Sequence, residues 1–276
     1  MKLKKLVVTL SLLGATAMAS TAYAVPTITN TDGVLQPFGG FDWNSGAAAW
    51  TQGFVPVVGQ SFTLFYAATA GAIKDTGGVD IDVSNLDTSA NGLKKAGNSY
   101  EYTILASLTE EVVSVDFGTG TATFKVTGGM FDIYYDLAAN AKQSTGTGYL
   151  DGTKVISGNV FASSSAQLFN NATGGQANLS GRVTYTNQTY IDPLLVGTNL
   201  TSTLQLGGAV TGFTFPSGFD SDNNGTTNPF VGQPIIFQAD ANQAFSTVPE
   251  PGSLALIGGV LGLMGVVGRR RKNQVA

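Results

Sequence analysis

The stretch Tyr100-Glu101-Tyr102-Thr103-Ile104-Leu105-Ala106-Ser107-Leu108 decides the fold class. Apolar side chains occupy its even-numbered positions, and mostly polar residues fall between them. Successive side chains of a β-strand point to opposite faces, so this alternation predicts a strand with one buried face. After Glu110-Glu111 the apolar positions shift to Val113, Val115 and Phe117. This change of phase predicts a β-bulge or a tight turn.

Similar strand patterns recur on both sides of this stretch. They are rich in β-branched and aromatic residues, and clusters of Gly, Asn, Ser and Thr separate them. The predicted strands cover residues 61–67, 121–126, 130–136, 154–161, 177–187, 204–215 and 234–239. Sustained helical periodicity is missing from this sequence pattern between residues 25 and 247. We therefore predict an all-β protein with an antiparallel β-sandwich or a jelly-roll-like fold. An outer-membrane barrel is the alternative, but its strands should run about ten residues with a lipid-facing apolar row, so the sequence favours the sandwich.

A secretory leader precedes the β region. Three lysines lie within the first five residues, an apolar run follows at residues 6–13, and Ala22 and Ala24 form an A-x-A cleavage site. This pattern is typical of a signal peptide that is cut after Ala24. We therefore predict that residues 1–24 direct the chain to the secretion machinery and that residues 25–247 form the exported β domain.

Residues 248–276 have a different character. Val248-Pro249-Glu250-Pro251 precedes an uncharged apolar run at residues 252–268, and Arg269-Arg270-Arg271-Lys272 follows it. As a helix the run would span about 25 Å, slightly less than the hydrocarbon core of a bilayer. Basic residues beside such a segment stay on the cytoplasmic side. The pattern predicts a transmembrane helix with the β domain on the other side of the membrane.

In order and spacing, the Pro-Glu-Pro, the apolar run and the basic cluster resemble the sorting signal of PEP-CTERM proteins. Gram-negative bacteria that make an extracellular polysaccharide matrix export these proteins. The resemblance implies transient anchoring in the inner membrane and processing near Pro-Glu-Pro by an exosortase, a membrane transpeptidase-like protease. Release or transfer to the cell surface or matrix would follow. An ordinary membrane tail would explain the anchor and the basic cluster, but it gives no reason for Pro-Glu-Pro.

The β region also resembles flocculation-associated PEP-CTERM proteins of floc-forming bacteria. The similar segments are residues 41–54, 61–67, 100–104, 132–136 and 146–153. This resemblance implies a role in holding cells and exopolysaccharide together.

The charge of the exported region argues against several partners. Of 14 lysines and arginines, three lie in the leader and four behind the apolar run, which leaves seven against all 18 carboxylates. The net charge of residues 25–251 is therefore about −11. Nucleic acid needs a basic footprint, so it is not an expected partner.

The sequence has no cysteine, and a region of this size can form a core without disulfides.

We expect no catalytic activity. The sequence has no histidine, so catalytic triads and imidazole-bound metals in their usual forms are excluded. Paired carboxylates could still hydrolyse glycosidic bonds. On a strand, Glu110 and Glu111 would face opposite sides, whereas Asp132 and Asp136 would share a face at about 13 Å, which is too far apart. Carboxylates from separate strands could meet in space, so a carboxylate glycosidase is a third hypothesis for function.

One short motif resembles the first half of a calcium loop. Asp220, Asp222 and Asn224 alternate within a segment that ends in Gly225, as in the opening of an EF-hand. The twelfth position holds Val231 in place of the required Glu. The alternatives are a calcium site and a plain polar hairpin loop. No other cofactor is expected.

Two tryptophans offer a possible sugar-binding surface. Trp43 and Trp50, with aromatic neighbours, could form a platform for sugar rings, but aromatics in β proteins usually belong to the core. The sequence as a whole predicts a non-catalytic surface or matrix protein that contributes to exopolysaccharide-associated aggregation. A carbohydrate-binding module for exopolysaccharide is the second hypothesis.

Overall fold

A computed structural model describes residues 25–89, 99–162, 167–170, 174–219 and 235–246. These residues belong to one compact unit, residues 25–247. They contain twelve strands and no helix. The strands are β1 (Thr27–Asn30), β2 (Gly33–Leu35), β3 (Phe38–Gln52), β4 (Ser61–Asp75), β5 (Glu101–Asp116), β6 (Thr121–Asp136), β7 (Thr153–Val160), β8 (Gln167–Asn170), β9 (Gly174–Thr186), β10 (Ile191–Asp192), β11 (Asn199–Ala209) and β12 (Ile235–Ser246). No helix in this described part is long and apolar enough to cross a membrane.

Eight of these strands form a closed barrel. The order is β11-β12-β3-β4-β5-β6-β7-β9, and β9 pairs again with β11, so the ring is complete. All of its pairings are antiparallel. β8 lies beside β6 and β9. The all-β, antiparallel prediction is confirmed, but the sheet is closed, whereas a sandwich would pack two separate sheets.

Long strands with bulges explain why the strand boundaries differ from the prediction. Gly128 and Gly129 lie inside β6 and do not form a turn, so residues 121–126 and 130–136 are one strand. A Cβ at Gly129 would collide with the carbonyl oxygen of Ser107, so this glycine permits close approach of β6 to β5. The predicted bulge near Glu110 is present as register shifts at Thr109/Glu110 and at Val112/Ser114.

The barrel interior holds the main core. From β5, the buried side chains of Tyr102, Ile104, Ala106 and Leu108 lie in this core, on the predicted face. A small sheet of β2, β1 and β10 covers the end where β5 begins, and Ile28 of β1 is completely buried in the same core. The mouth of the barrel lies at the opposite end, where β5 ends.

A second apolar cluster lies on the outer face of the barrel wall. Segments 137–152 and 211–219 contribute to it, and its buried members are Ala48, Trp50, Phe65, Ala67, Leu105, Tyr134, Ala141, Tyr149 and Phe219. Glu101 holds the first segment, because its Oε1 accepts hydrogen bonds from the backbone N–H groups of Asn140 and Ala141 at 2.8 and 2.9 Å. The wall is therefore buried on both sides here, which is why Leu105 breaks the alternation of the sequence.

Candidate functional site

A cavity of about 320 Å³ occupies the mouth of the barrel, where β5 ends and β6 begins. Seven strands (β3, β4, β5, β6, β9, β11 and β12) contribute side chains to it. The lining is largely apolar: Phe54, Pro56, Phe62, Leu64, Val115, Phe117, Ala122, Phe124, Ala177, Leu204, Leu206, Ile235 and Phe237. Phe117 and Ile235 are exposed, so the cavity opens to solvent. Its volume lies at the lower end of the range of small-molecule sites.

One ionisable side chain is buried in this cavity. Glu110 is 2% exposed, and Phe62 and Val126 are its direct neighbours on the adjacent strands. Its Oε1 has no hydrogen-bond partner among the described residues. Burial raises the pKa of the carboxyl group to about 8. The group is therefore mainly neutral at pH 7.

Strand alternation places Glu110 inside the barrel. Leu108, Glu110 and Val112 are alternate residues of β5, and all three are buried on its inward face. Glu111 lies on the opposite face, where its carboxylate contacts the Lys125 ammonium group at 2.8 Å. The prediction that the two glutamates face opposite sides is thus confirmed.

The predicted phase change concealed the burial of Glu110. Val113 and Phe117 were predicted to continue the apolar face, but they are 40% and 78% exposed. Every second residue from Leu108 through Glu110 to Val112 faces the barrel interior. This uninterrupted alternation is the sequence signal that could have predicted the burial of Glu110.

Asp116 is the second acidic residue at the cavity, and its surroundings are very different. It lies at the exposed end of β5, and its Oδ1 accepts backbone hydrogen bonds from Gly118 and Thr119 at 2.8 and 3.3 Å. The hydroxyl of Thr119, together with these two backbone bonds, holds the pKa of Asp116 below its ordinary value. The carboxylate is charged, and its hydrogen bonds stabilise the β5–β6 turn.

Asp132 and Asp136 each make hydrogen bonds to different partners. Asp132 is buried, with its carboxylate 2.7 Å from the Lys154 ammonium group and 2.5 Å from the Ser157 hydroxyl. Asp136 accepts a hydrogen bond from the backbone N–H of Ala138 at 2.8 Å. These contacts stabilise the barrel wall.

The structure does not bring the two tryptophans together. Trp43 is 1% exposed in the barrel interior, and Trp50 is 2% exposed in the cluster outside the wall. Trp43 packs on Phe41, and Trp50 packs on Phe215. A platform for sugar rings needs open aromatic faces, and these two indoles do not provide one.

Several predicted sites lie outside the described residues. These are the calcium-loop residues Asp220, Asp222 and Asn224, the leader with Ala22 and Ala24, and the whole of residues 248–276, including the predicted transmembrane helix. Within the described ranges, no group of three or more acidic residues is arranged to hold a metal ion.

A family model for the PEP-CTERM protein-sorting motif matches residues 247–272. Comparison with curated proteins and with solved structures gave no match. The matched residues include the Pro-Glu-Pro, the apolar run and the basic cluster, so the predicted sorting signal is confirmed. The chain thus carries a PEP-CTERM protein-sorting motif, and this motif implies that the protein is exported and processed by an exosortase.

Proposed function

We propose that the barrel is a non-catalytic component of the cell surface or extracellular matrix of a Gram-negative bacterium. The leader exports the chain, the apolar run anchors it briefly in the inner membrane, and an exosortase releases it near Pro-Glu-Pro. The barrel then contributes to aggregation of cells with exopolysaccharide. The match of the sorting motif to residues 247–272 carries this proposal.

The charge of the exported region is consistent with this location. It is acidic, and several of its lysines are already engaged: Lys74 contacts Asp42 and Asp80, Lys125 contacts Glu111, and Lys154 contacts Asp132. With a net charge of about −11, the region attracts neither nucleic acid nor anionic lipid. An acidic surface attracts divalent cations, which could link it to acidic polysaccharide.

The mouth cavity gives the glycosidase hypothesis one structural argument. Glu110 and Asp116 line the same cavity, and their pKa values are shifted in opposite directions, as in an acid and base pair. However, the walls are mostly apolar and offer few partners for the hydroxyl groups of a sugar. We therefore favour a non-catalytic role, and release of reducing sugar from purified exopolysaccharide would contradict it.

The intact mass of the protein, recovered separately from membranes and from the matrix, tests the sorting pathway. We expect a matrix form that begins at Val25 and ends near Pro251. Replacing Pro249, Glu250 and Pro251 by alanine should abolish this form and leave the tailed chain in the membrane. The variant Glu111→Gln, which leaves the motif intact, serves as the control. A full-length tail as the sole form in both fractions would contradict exosortase processing.

Settling of a deletion strain tests the role in aggregation. Cells that lack the protein should flocculate less than the parent, and the intact chain should restore flocculation. The alanine-substituted motif should not restore it, because the barrel would stay at the membrane. If the deletion strain settles like its parent, the aggregation role is wrong, whatever the result for sorting.

A further inference from the structure

Glu110 places a polar group where the fold gains nothing from it. Burial of a carboxyl oxygen without a hydrogen bond costs free energy, because its bond to water is lost and not replaced. Phe62, Val126 and Val112 surround this position on or next to the same strands, and an apolar side chain would suit them better. The unpartnered Oε1 therefore points to a group that comes from outside the chain.

We propose that the mouth cavity binds an apolar molecule with one hydroxyl group, and that this hydroxyl donates a hydrogen bond to Oε1 of Glu110. The apolar body of the molecule packs against the aromatic and aliphatic walls. Entry is from solvent, past the exposed side chains of Phe117 and Ile235. This binding site is independent of the sorting signal.

The lining selects a neutral molecule. The described lining residues include no lysine or arginine, so a fatty acid or a phosphate ester would find no positive partner among them. Besides the mainly neutral Glu110, Asp116 is the one ionisable group among the described lining residues, and it lies at the exposed rim. Glu111 and Lys125 are nearby but pair with each other on the outer face of the wall. An ammonium head group would form an ion pair in apolar surroundings, which costs more desolvation than a hydroxyl group does.

A second space inside the barrel is too small for such a ligand. A cavity of about 30 Å³ lies deeper in the barrel, beside Trp43, Tyr66 and Gln243. This volume corresponds to about one water molecule. The mouth cavity combines organic-molecule size with an unpartnered buried acceptor, the Oε1 of Glu110.

Nuclear magnetic resonance of the full chain in lipid nanodiscs can test the proposal. The probes are 1-hexanol and its isomer 1-methoxypentane, which has the same size but no hydroxyl donor. Labelled methyl groups of Ala122 and Ala177, both in the cavity lining, report occupancy in every variant. The chain has only four glutamates, so a labelled carboxyl carbon also reports on Glu110 directly.

We expect hexanol to shift both methyl signals and the Glu110 carboxyl signal in a saturable way. At about pH 9.5, above the pKa of about 8, the Glu110 carboxylate can only accept a hydrogen bond, so the ether should bind about three- to tenfold more weakly, which is the effect of one hydrogen bond. Glu110→Leu should weaken hexanol binding to the level of the ether. Glu110→Gln keeps a carbonyl acceptor and should retain most of the affinity, and Glu111→Leu, on the outer face, should change nothing.

Three results would overturn the proposal: equal affinity for the alcohol and the ether, unchanged hexanol binding in Glu110→Leu, or no methyl shift up to the solubility limit of hexanol. If Glu110→Leu fails to fold, the comparison of the alcohol with the ether on the unaltered chain still tests the proposed hydrogen bond. None of these results depends on exosortase processing, so failure here leaves the proposed function standing.

Discussion

At the scale of single residues, the carboxyl group of Glu110 couples the stability of the barrel to pH. Its pKa rises from 4.5 to about 8 on folding because burial disfavours the charged form. Between these values the unfolded chain releases the proton and the folded chain keeps it, so the free energy of unfolding falls as pH rises. Below about pH 4.5 this penalty is absent, and above about pH 8 it is complete.

We predict that Glu110→Leu removes much of this dependence. The free energy of unfolding, measured with urea, should decrease between pH 5 and pH 8.5. This decrease should be larger in the unaltered protein than in the variant, by on the order of a few kcal/mol. Glu111→Leu is the matched control, because its carboxylate is partly exposed and paired with Lys125. Parallel pH profiles for the unaltered protein and Glu110→Leu would refute the assigned cause.

At the scale of elements, the segment 137–152 depends on β5 for its position. Glu101 accepts two backbone N–H groups from it, and the Thr103 hydroxyl donates to the carbonyl oxygen of Tyr149 at 2.8 Å. Both anchors lie on the outer face of β5, so one strand supports the interior core and the covering segment together.

We predict that Glu101→Ala loosens this segment, because it leaves the N–H groups of Asn140 and Ala141 without their acceptor. The cost should be about 1–3 kcal/mol. Hydrogen exchange at these two amides should accelerate more than exchange inside the barrel. Glu101→Gln keeps a carbonyl oxygen and should behave like the unaltered protein. Equal protection of the two amides in Glu101→Ala would show that the segment is held by its apolar contacts alone.

At the scale of the whole molecule, closure makes the barrel one cooperative unit. β9 pairs with β7 on one side and with β11 on the other, so loss of one strand opens the ring. Gly158 of β7 lies within this ring, and a Cβ there would stand 2.5 Å from Cζ of Phe131 and 2.6 Å from the carbonyl oxygen of Arg182. Phe131 is buried and has little room to move.

We predict that Gly158→Ala destabilises the entire barrel by about 1–3 kcal/mol, the usual cost of overpacking. The melting temperature should fall by several degrees, and exchange should increase in strands on both sides of β7. Gly128→Ala is the control, because a Cβ at that position meets no atom within 4 Å. Equal melting temperatures for the two variants would mean that Phe131 moves aside without cost.

The sequence alone determined the all-β class, the buried face of β5 and the sorting motif. Each depends on residues that are adjacent in the chain: alternation with a period of two, or a contiguous Pro-Glu-Pro, apolar run and basic cluster. The flocculation role rests on resemblance and stays a prediction. The same local reasoning divided β6 at Gly128-Gly129, because glycine pairs usually mark turns.

Only the tertiary structure decided the closure of the sheet, the burial of both tryptophans and the position of Glu110. Closure depends on the pairing of β9 with β11, which no periodicity within either strand encodes. Whether an outward residue such as Trp50 is buried depends on distant segments that cover the wall. Glu110 becomes a buried, unpartnered acceptor only because seven strands meet around it, and contacts between residues far apart in the chain are the physical origin of that environment.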